Sequence, residues 1–201
     1  MPWEEQEFSD KSFESLMIDG AEVFRSCKFI RCSFKGARLA EWQTRGCFFE
    51  ECSFVQAQMN LSVHESTAFI GCDFSGARLS GAILKSCRWV GSDLSGADLS
   101  AIQVDGGDWA YCNLRMQTLD GLDLSSIRFV GADLYGASMK KCNLRNAHLS
   151  KANLQRADLS GCDLRGADLD DVDLRMTNVL KARMSIDGAI YLATSFGVIV
   201  E

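Results

Sequence analysis

Residues 131–170, broken every five, read GADLY GASMK KCNLR NAHLS KANLQ RADLS GCDLR GADLD. The fourth place of each block holds Leu134, Met139, Leu144, Leu149, Leu154, Leu159, Leu164 and Leu169, and the second place holds only Ala or Cys. Working outward in both directions, the same frame runs from Phe24 to Met184 with no insertion or deletion. Of its 33 central places 31 are apolar, where the chain average of 47% would give about 16, so the frame is not a by-product of composition. Thr44 and His64 are the two exceptions. A repeat this regular fixes the architecture before any single element is assigned.

Each place has its own chemistry. Two residues before the centre the chain is small. Ala37, Ala57, Ala77, Ala97, Ala132 and others sit there, and so do all nine cysteines. The residue just before the centre is polar, often Asp or Asn, and 13 of the 17 glycines fall two after it. One large and one small residue per block therefore point inward and the other three face water. Glycine serves a tight turn that needs positive φ.

A longer period lies over the first. Phe29, Phe49, Phe69, Trp89, Trp109 and Phe129 recur every 20 residues, as do Phe34, Phe54 and Phe74. Four blocks per coil explain this, since stacked coils put like residues over like.

Units such as GADLS, KANLQ, RADLS, GCDLR and GADLD resemble the A(D/N)LXX repeats of the pentapeptide-repeat family. The resemblance covers roughly residues 20–184. It implies an all-β solenoid, a right-handed quadrilateral β-helix of about eight coils.

Composition bounds the function. The net charge is −6, which disfavours nonspecific binding to nucleic acid or an anionic membrane. No apolar run approaches the ~20 residues that span a bilayer. The acidic N-terminus lacks a signal-peptide pattern, so the expected compartment is the cytoplasm. Cysteines stacked at about 4.8 Å with parallel Cβ vectors suit neither disulfides nor a converging zinc site. They read as small core residues with reduced thiols. His64, inward with Ser62 two before it, reads as a hydrogen-bonded core residue. His148 faces outward, and the two histidines form no catalytic pair. No phosphate-binding glycine loop or metal-ligand motif is present. The expectation is a non-enzymatic protein that needs no cofactor.

The ends leave the frame. In residues 1–23, Phe8, Phe13 and Ile18 keep the spacing of five, one residue out of phase with Phe24. This predicts an N-terminal cap and degenerate first coil that covers the open strand edge. Pro2 is the only proline, in keeping with backbone amides that serve the ladders elsewhere. Thr44, beside Trp42 in a usually small place, marks a local swap that could leave it turned outward. Residues 185–201 predict a short helix capped by Ser185 or Asp187 and ended by Gly197. Val198–Val200 reads as a closing strand. Ile186, Ile190, Leu192, Ala193, Phe196, Val198, Ile199 and Val200 make this tail apolar enough for dimerisation.

That tail and the size narrow the resemblance to the gyrase-protecting members, the Qnr, MfpA and AlbG types. It implies a homodimer joined at the C-terminus that mimics DNA. It also implies binding to bacterial DNA gyrase, and to topoisomerase IV, in competition with DNA, with resistance to gyrase-targeting antibiotics. No direct nucleic acid or membrane binding is expected. The unbroken frame leaves no place for the projecting loops of many Qnr members. Eight coils span about 40 Å, a length over which duplex DNA carries roughly 23 charges. Mimicry would therefore depend on locally placed carboxylates. The candidates are Asp73, Asp93, Asp133 and Asp173, in a row with no basic residue at the same place, and then Asp158, Asp163 and Asp168. The same Asp side chains also serve the turn by bonding nearby backbone. The alternative is a repeat scaffold for some other protein.

Overall fold

The computed structural model describes residues 3–18, 20 and 22–200. Pro2 lies outside them. The chain forms two compact units, Met1–Asp108 and Trp109–Glu201. Each is a parallel β-solenoid built from the five-residue frame.

Among the described residues the first unit contains nine strands, all paired in parallel. They are β1 (Glu7–Ser9), β2 (Val23–Arg25), β3 (Lys28–Ile30), β4 (Gln43–Arg45), β5 (Phe48–Glu50), β6 (Val63–Glu65), β7 (Ala68–Ile70), β8 (Ile83–Arg88) and β9 (Gln103–Asp108). Strands pair with the strand one coil on at an offset of 20: Phe24 with Thr44, Phe29 with Phe49, Thr44 with His64. These strands fill two of the four faces. On the other two, single residues such as Ser33, Ser53, Asp73 and Asp93 bridge from coil to coil. The outward residues decide which face does which. Val23, Val63, Ile83, Ile30 and Ile70 favour extended pleated backbone. Asp and Asn instead bond the backbone two residues on and favour a turn.

Burial follows the frame. Phe24, Phe29, Phe34, Phe49, Phe54, Phe69, Phe74, Trp42 and Trp89 are fully buried. Rings stack along the axis, Phe29 on Phe49 at 4.8 Å and Phe34 on Phe54 at 4.9 Å, with interplanar angles of 3° and 4°. Neighbouring columns meet edge-on, as Phe29 and Phe34 do at 72°. Val104 departs from the expected full burial and is half-buried.

The first coil is offset by 21 residues instead of 20. Phe8 pairs with Phe29, and Ser12 bridges Ser33. Trp3, Phe8 and Phe13 stack on Phe24, Phe29 and Phe34 at 4.3, 5.1 and 4.9 Å. These rings cover the next coil, and the extra residue accounts for the phase slip.

The second unit is made of bridged single residues. Asn113, Asp133 and Asn153 stand in one row, and Asp123, Asn143, Asp163 and Arg183 in another. Leu114, Leu134, Leu154 and Leu174 are buried one above another. Each block closes on an amide three residues past its centre, as Ala132 N–H donates to Phe129 O at 2.9 Å. Val179 and Met184, expected inward, are only half-buried at the end of the stack.

The chain then forms α1 (Ile186–Ser195). Ser185 caps it by accepting the Gly188 amide, with Asp187 in the first turn. At the other end Gly197, at φ +81°, donates to Thr194 O, and Val198 N–H donates to Ala193 O. This pattern closes a helix on a left-handed residue. Val198–Val200 is not a strand. Among the described residues no strand beside it offers the ladder partner that its apolar composition would need, so propensity alone does not extend it into a sheet.

Candidate functional site

Every one of the seven candidate carboxylates uses an oxygen locally. The amides of Ser75, Ser95, Tyr135, Ser160, Arg165, Asp170 and Arg175 donate to Oδ1 of Asp73, Asp93, Asp133, Asp158, Asp163, Asp168 and Asp173 at 2.8–3.2 Å. This is the turn role that the sequence offered for these residues.

Their charges differ more than their geometry. Asp73 and Asp93 lie in the first unit, and no ion pair engages them among the described residues. Asp168 in the second unit is likewise outside any ion pair described. Four others meet cations. Arg115 Nη1 reaches Asp133 Oδ2 at 3.0 Å, and Arg175 grips Asp173 with Nε and Nη2, each at 2.8 Å. Lys140 lies 3.7 Å from Asp158, while Arg165 clasps Asp163 and Arg145 stands 4.0 Å away. The Arg175 guanidinium holds the Asp173 carboxyl down to about 2, and Arg165 holds Asp163 well below the usual range. The basic partners are exposed and the carboxylates half-buried, so the pairs fix side-chain direction more than they stabilise the fold. Asparagines insert between the acids: Asn153 donates to Asp133, Asn143 to Asp123 and Asn178 to Asp158, each at 3.0 Å. An amide between two carboxylates removes a like-charge contact.

The pairing has a spacing that same-place columns hide. Arg115–Asp133, Lys140–Asp158 and Arg145–Asp163 are all 18 apart, because the residue after one centre lies beside the residue before the centre one coil on. Counting charge by segment shows where the negative excess lies. Residues 1–23 hold seven of the 27 acids and one of the 21 bases, and 185–201 hold two acids and no base. That leaves 18 acids and 20 bases over 24–184, so the repeat itself is slightly basic. Glu4, Glu5, Glu7, Asp10 and Glu14 on the first coil are exposed.

Thr44 and His64 belong to the interior. Thr44, the residue that could have turned outward, is fully buried, as are His64 and Ser62. Thr44 Oγ1 lies 2.7 Å from His64 Nδ1 and 2.8 Å from Thr67 Oγ1, and His64 Nε2 lies 3.0 Å from Ser62 Oγ. Thr67 gives its hydrogen to Glu65 O at 3.2 Å. Thr44 must then donate to Thr67 and accept from His64 Nδ1–H, which leaves Nε2 to accept from Ser62. Burial pushes the His64 pKa down to about 3. Trp42 and Phe69 meet the imidazole edge-on at 5.6 and 5.3 Å. A neutral, satisfied histidine walled by rings is a core element.

The cysteines do more than fill space. At the Phe34 and Leu39 corners, the amides of Ala37 and Trp42 close the turn on the central carbonyl. At the Phe24 and Phe29 corners the thiols of Cys47 and Cys52, one coil on, donate to that carbonyl at 3.3 and 3.4 Å. Cys72 and Cys87 do the same for Phe49 and His64 at 3.5 and 3.2 Å, and Ser92 for Phe69 at 3.0 Å. Burial pushes the Cys47 and Cys87 thiols up to about 11, which suppresses the reactive thiolate. All nine cysteines are buried and unbridged, and no cluster among the described residues could hold a metal.

The proposed dimerisation residues are mostly open to solvent. Ile186 is 81% exposed, Phe196 60% and Ile199 84%. Ile190, Val198 and Val200 are also exposed, while Leu192 and Ala193 are half-buried. Helix α1 buries no residue of its own, and Tyr191 fastens it to the last coil. Its hydroxyl accepts the Val172 amide at 3.0 Å and donates to Val172 O at 3.2 Å.

Two solved structures share this architecture. A trypsin-treated form of QnrB1, described as a plasmid-mediated fluoroquinolone resistance protein, superposes with a TM-score of 0.84 at 23% identity. The match covers 98% of this chain and 99% of that one. HetL, a pentapeptide-repeat protein involved in heterocyst differentiation regulation from the cyanobacterium Nostoc sp. strain PCC 7120, gives 0.61 at 19% identity, over 92% and 86%. No curated protein matches the sequence. The model of the pentapeptide repeats matches residues 72–108, 110–146, 137–175 and 147–185, more than half of the sequence. With the five-residue frame, the inward centres and the parallel coils all in agreement, the chain belongs to the pentapeptide-repeat family.

Proposed function

We propose that this chain is a non-enzymatic DNA mimic that binds the DNA-gate region of a bacterial type II topoisomerase, gyrase or topoisomerase IV. It competes there with DNA and so protects against gyrase-targeting antibiotics in the cytoplasm. The observation that carries the reading is the likeness to QnrB1 over nearly the whole of both chains. The apolar tail supports a homodimer, since an exposed apolar surface of this kind is covered by association and two-fold contacts are the commonest. Asp73, Asp93 and Asp168 are the carboxylates best placed to meet the partner's Arg and Lys side chains, being outside any described ion pair. Asp133, Asp158, Asp163 and Asp173 would first have to exchange a cation of their own for one of the partner's.

The test is a supercoiling assay with purified gyrase at low and high salt, together with competition against a labelled DNA fragment. Inhibition and competition that fade as salt rises support the reading. Neither effect at low salt overturns it. The likeness to HetL favours a second reading, a repeat scaffold for a different protein partner, which would take its place.

A further inference from the structure

In the second unit an open notch of about 350 Å³ is lined by Lys141, Cys142, Asn143, Arg145, Gly161, Asp163 and Arg183. The 20-residue coil brings them together. Asn143, Asp163 and Arg183 bridge one another in three successive coils, and Lys141 stands one coil before Gly161. Gly161 makes the space: a Cβ there would touch the Lys141 stem at 3.4 Å, so the lysine passes over the gap that the glycine leaves.

The charge balance of the notch is one-sided. Its single carboxylate, Asp163, is already engaged, with Arg165 Nε and the Arg165 amide donating to Oδ1 at 2.8 and 3.2 Å and Nη2 closing on Oδ2. Arg145 reaches only the far oxygen, at 4.0 Å. The Lys141 and Arg183 head groups enter no ion pair or side-chain hydrogen bond among the described residues. Lys141, Arg145 and Arg183 thus line one gap with a single carboxylate, which Arg165 already engages. Like charges lining one gap repel, and an anion between them turns the repulsion into attraction.

We propose that this notch is an oxyanion site for a phosphate-class dianion, held by Lys141, Arg145 and Arg183. The two guanidinium forks match the tetrahedral oxygens, and the lysine supplies a point charge. The site is independent of the topoisomerase reading, which uses carboxylates and not cations.

Amide resonances of the full-length protein should be followed while inorganic phosphate is titrated against sodium chloride at matched ionic strength. Saturable shifts centred on Lys141, Gly161 and Arg183 are expected, with Arg183→Ala and Lys141→Ala each weakening binding about fivefold or more. Both side chains are exposed, so the variants should keep wild-type circular dichroism and melting. A parallel titration with succinate identifies the source. Much weaker succinate binding assigns the site to phosphoryl groups, and equal binding assigns it to oxyanions at large, still in support. Shifts that chloride reproduces, or Arg183→Ala binding phosphate as the wild type does, overturn the proposal.

Discussion

The Cys52 thiol donates its hydrogen to the carbonyl of Phe29, 3.4 Å away and one coil earlier, and its sulfur also accepts the Cys32 amide at 3.4 Å. Cys52→Ala removes both bonds from a buried corner and should cost about 1–3 kcal/mol. Cys52→Ser should cost less, because Ser92 already fills this role two coils further along the same column, donating to Phe69 O and accepting the Cys72 amide, each at 3.0 Å. Urea midpoints of the two variants give the order. Equal losses would mean that volume alone matters in this place.

Acid should loosen the first unit through His64. The folded pKa lies near 3 and the unfolded one near 6.5, so below 6.5 the unfolded chain takes up a proton that the folded one refuses. The contribution is complete above about pH 6.5 and falls as the pH drops toward 3, by up to about 1.4 kcal/mol per pH unit. Unfolding free energies between pH 7.5 and 4.5 should show that slope, and His64→Gln should flatten it.

Two glycines in different places of the frame should respond very differently. A Cβ on Gly36 meets nothing within 4 Å, so Gly36→Ala should cost only the left-handed backbone term, about 1 kcal/mol. Twenty non-glycine residues from Glu5 to Lys181 already adopt positive φ, which shows that this term is tolerated. On Gly107, at φ +122°, a Cβ would collide with the Cys87 carbonyl oxygen of the coil before it. Gly107→Ala should therefore cost about 2–4 kcal/mol, because backbone must move. Melting of the two variants side by side decides it.

Tyr191 is the fastening between α1 and the last coil. Tyr191→Phe removes two hydrogen bonds to Val172 without changing the ring. The Val172 amide keeps its bond to Leu169 O at 3.1 Å, so the readout is the helix, whose amides should exchange with solvent faster while the melting of the repeat is unchanged. An unaltered exchange rate would show that packing alone holds the helix.

Phe196→Asp sets a charge into the tail surface proposed to join two copies. Light scattering should give a monomer mass, since an unpaired carboxylate in an apolar contact is strongly unfavourable. A dimer mass like that of the wild type removes Phe196 from any such contact.

Much of this was legible in the sequence because a five-residue period leaves little freedom. Leu94 and Leu114 are inward for the same reason as Leu134, and Ser185 and Gly197 bound the helix as their chemistry dictates. Most of what escaped depends on neighbours 18 to 23 residues away. Thr44 looks like a flaw in its own block and becomes a partner only once His64 lies on the next coil. The flanking Arg115 and Arg175 already mark the face of Asp133 and Asp173 as mixed in the sequence, but only the folded chain shows which carboxylate each one grips. The cysteines looked like filler because the carbonyls they serve are 23 residues behind them. The apolar Val198–Val200 suggested a strand, but a strand needs an edge to join, and composition does not reveal one.

The acidity of the first coil has a bearing on how such a stack meets another. Every later coil presents the next with a perimeter of matching length, so an open end would offer the same welcome to a second molecule as to its own chain. Here the first coil carries exposed Glu4, Glu5, Glu7, Asp10 and Glu14. A second solenoid arriving end-on with its own first coil leading would meet like charge. These carboxylates thus oppose the growth of a self-templating ladder into a fibre.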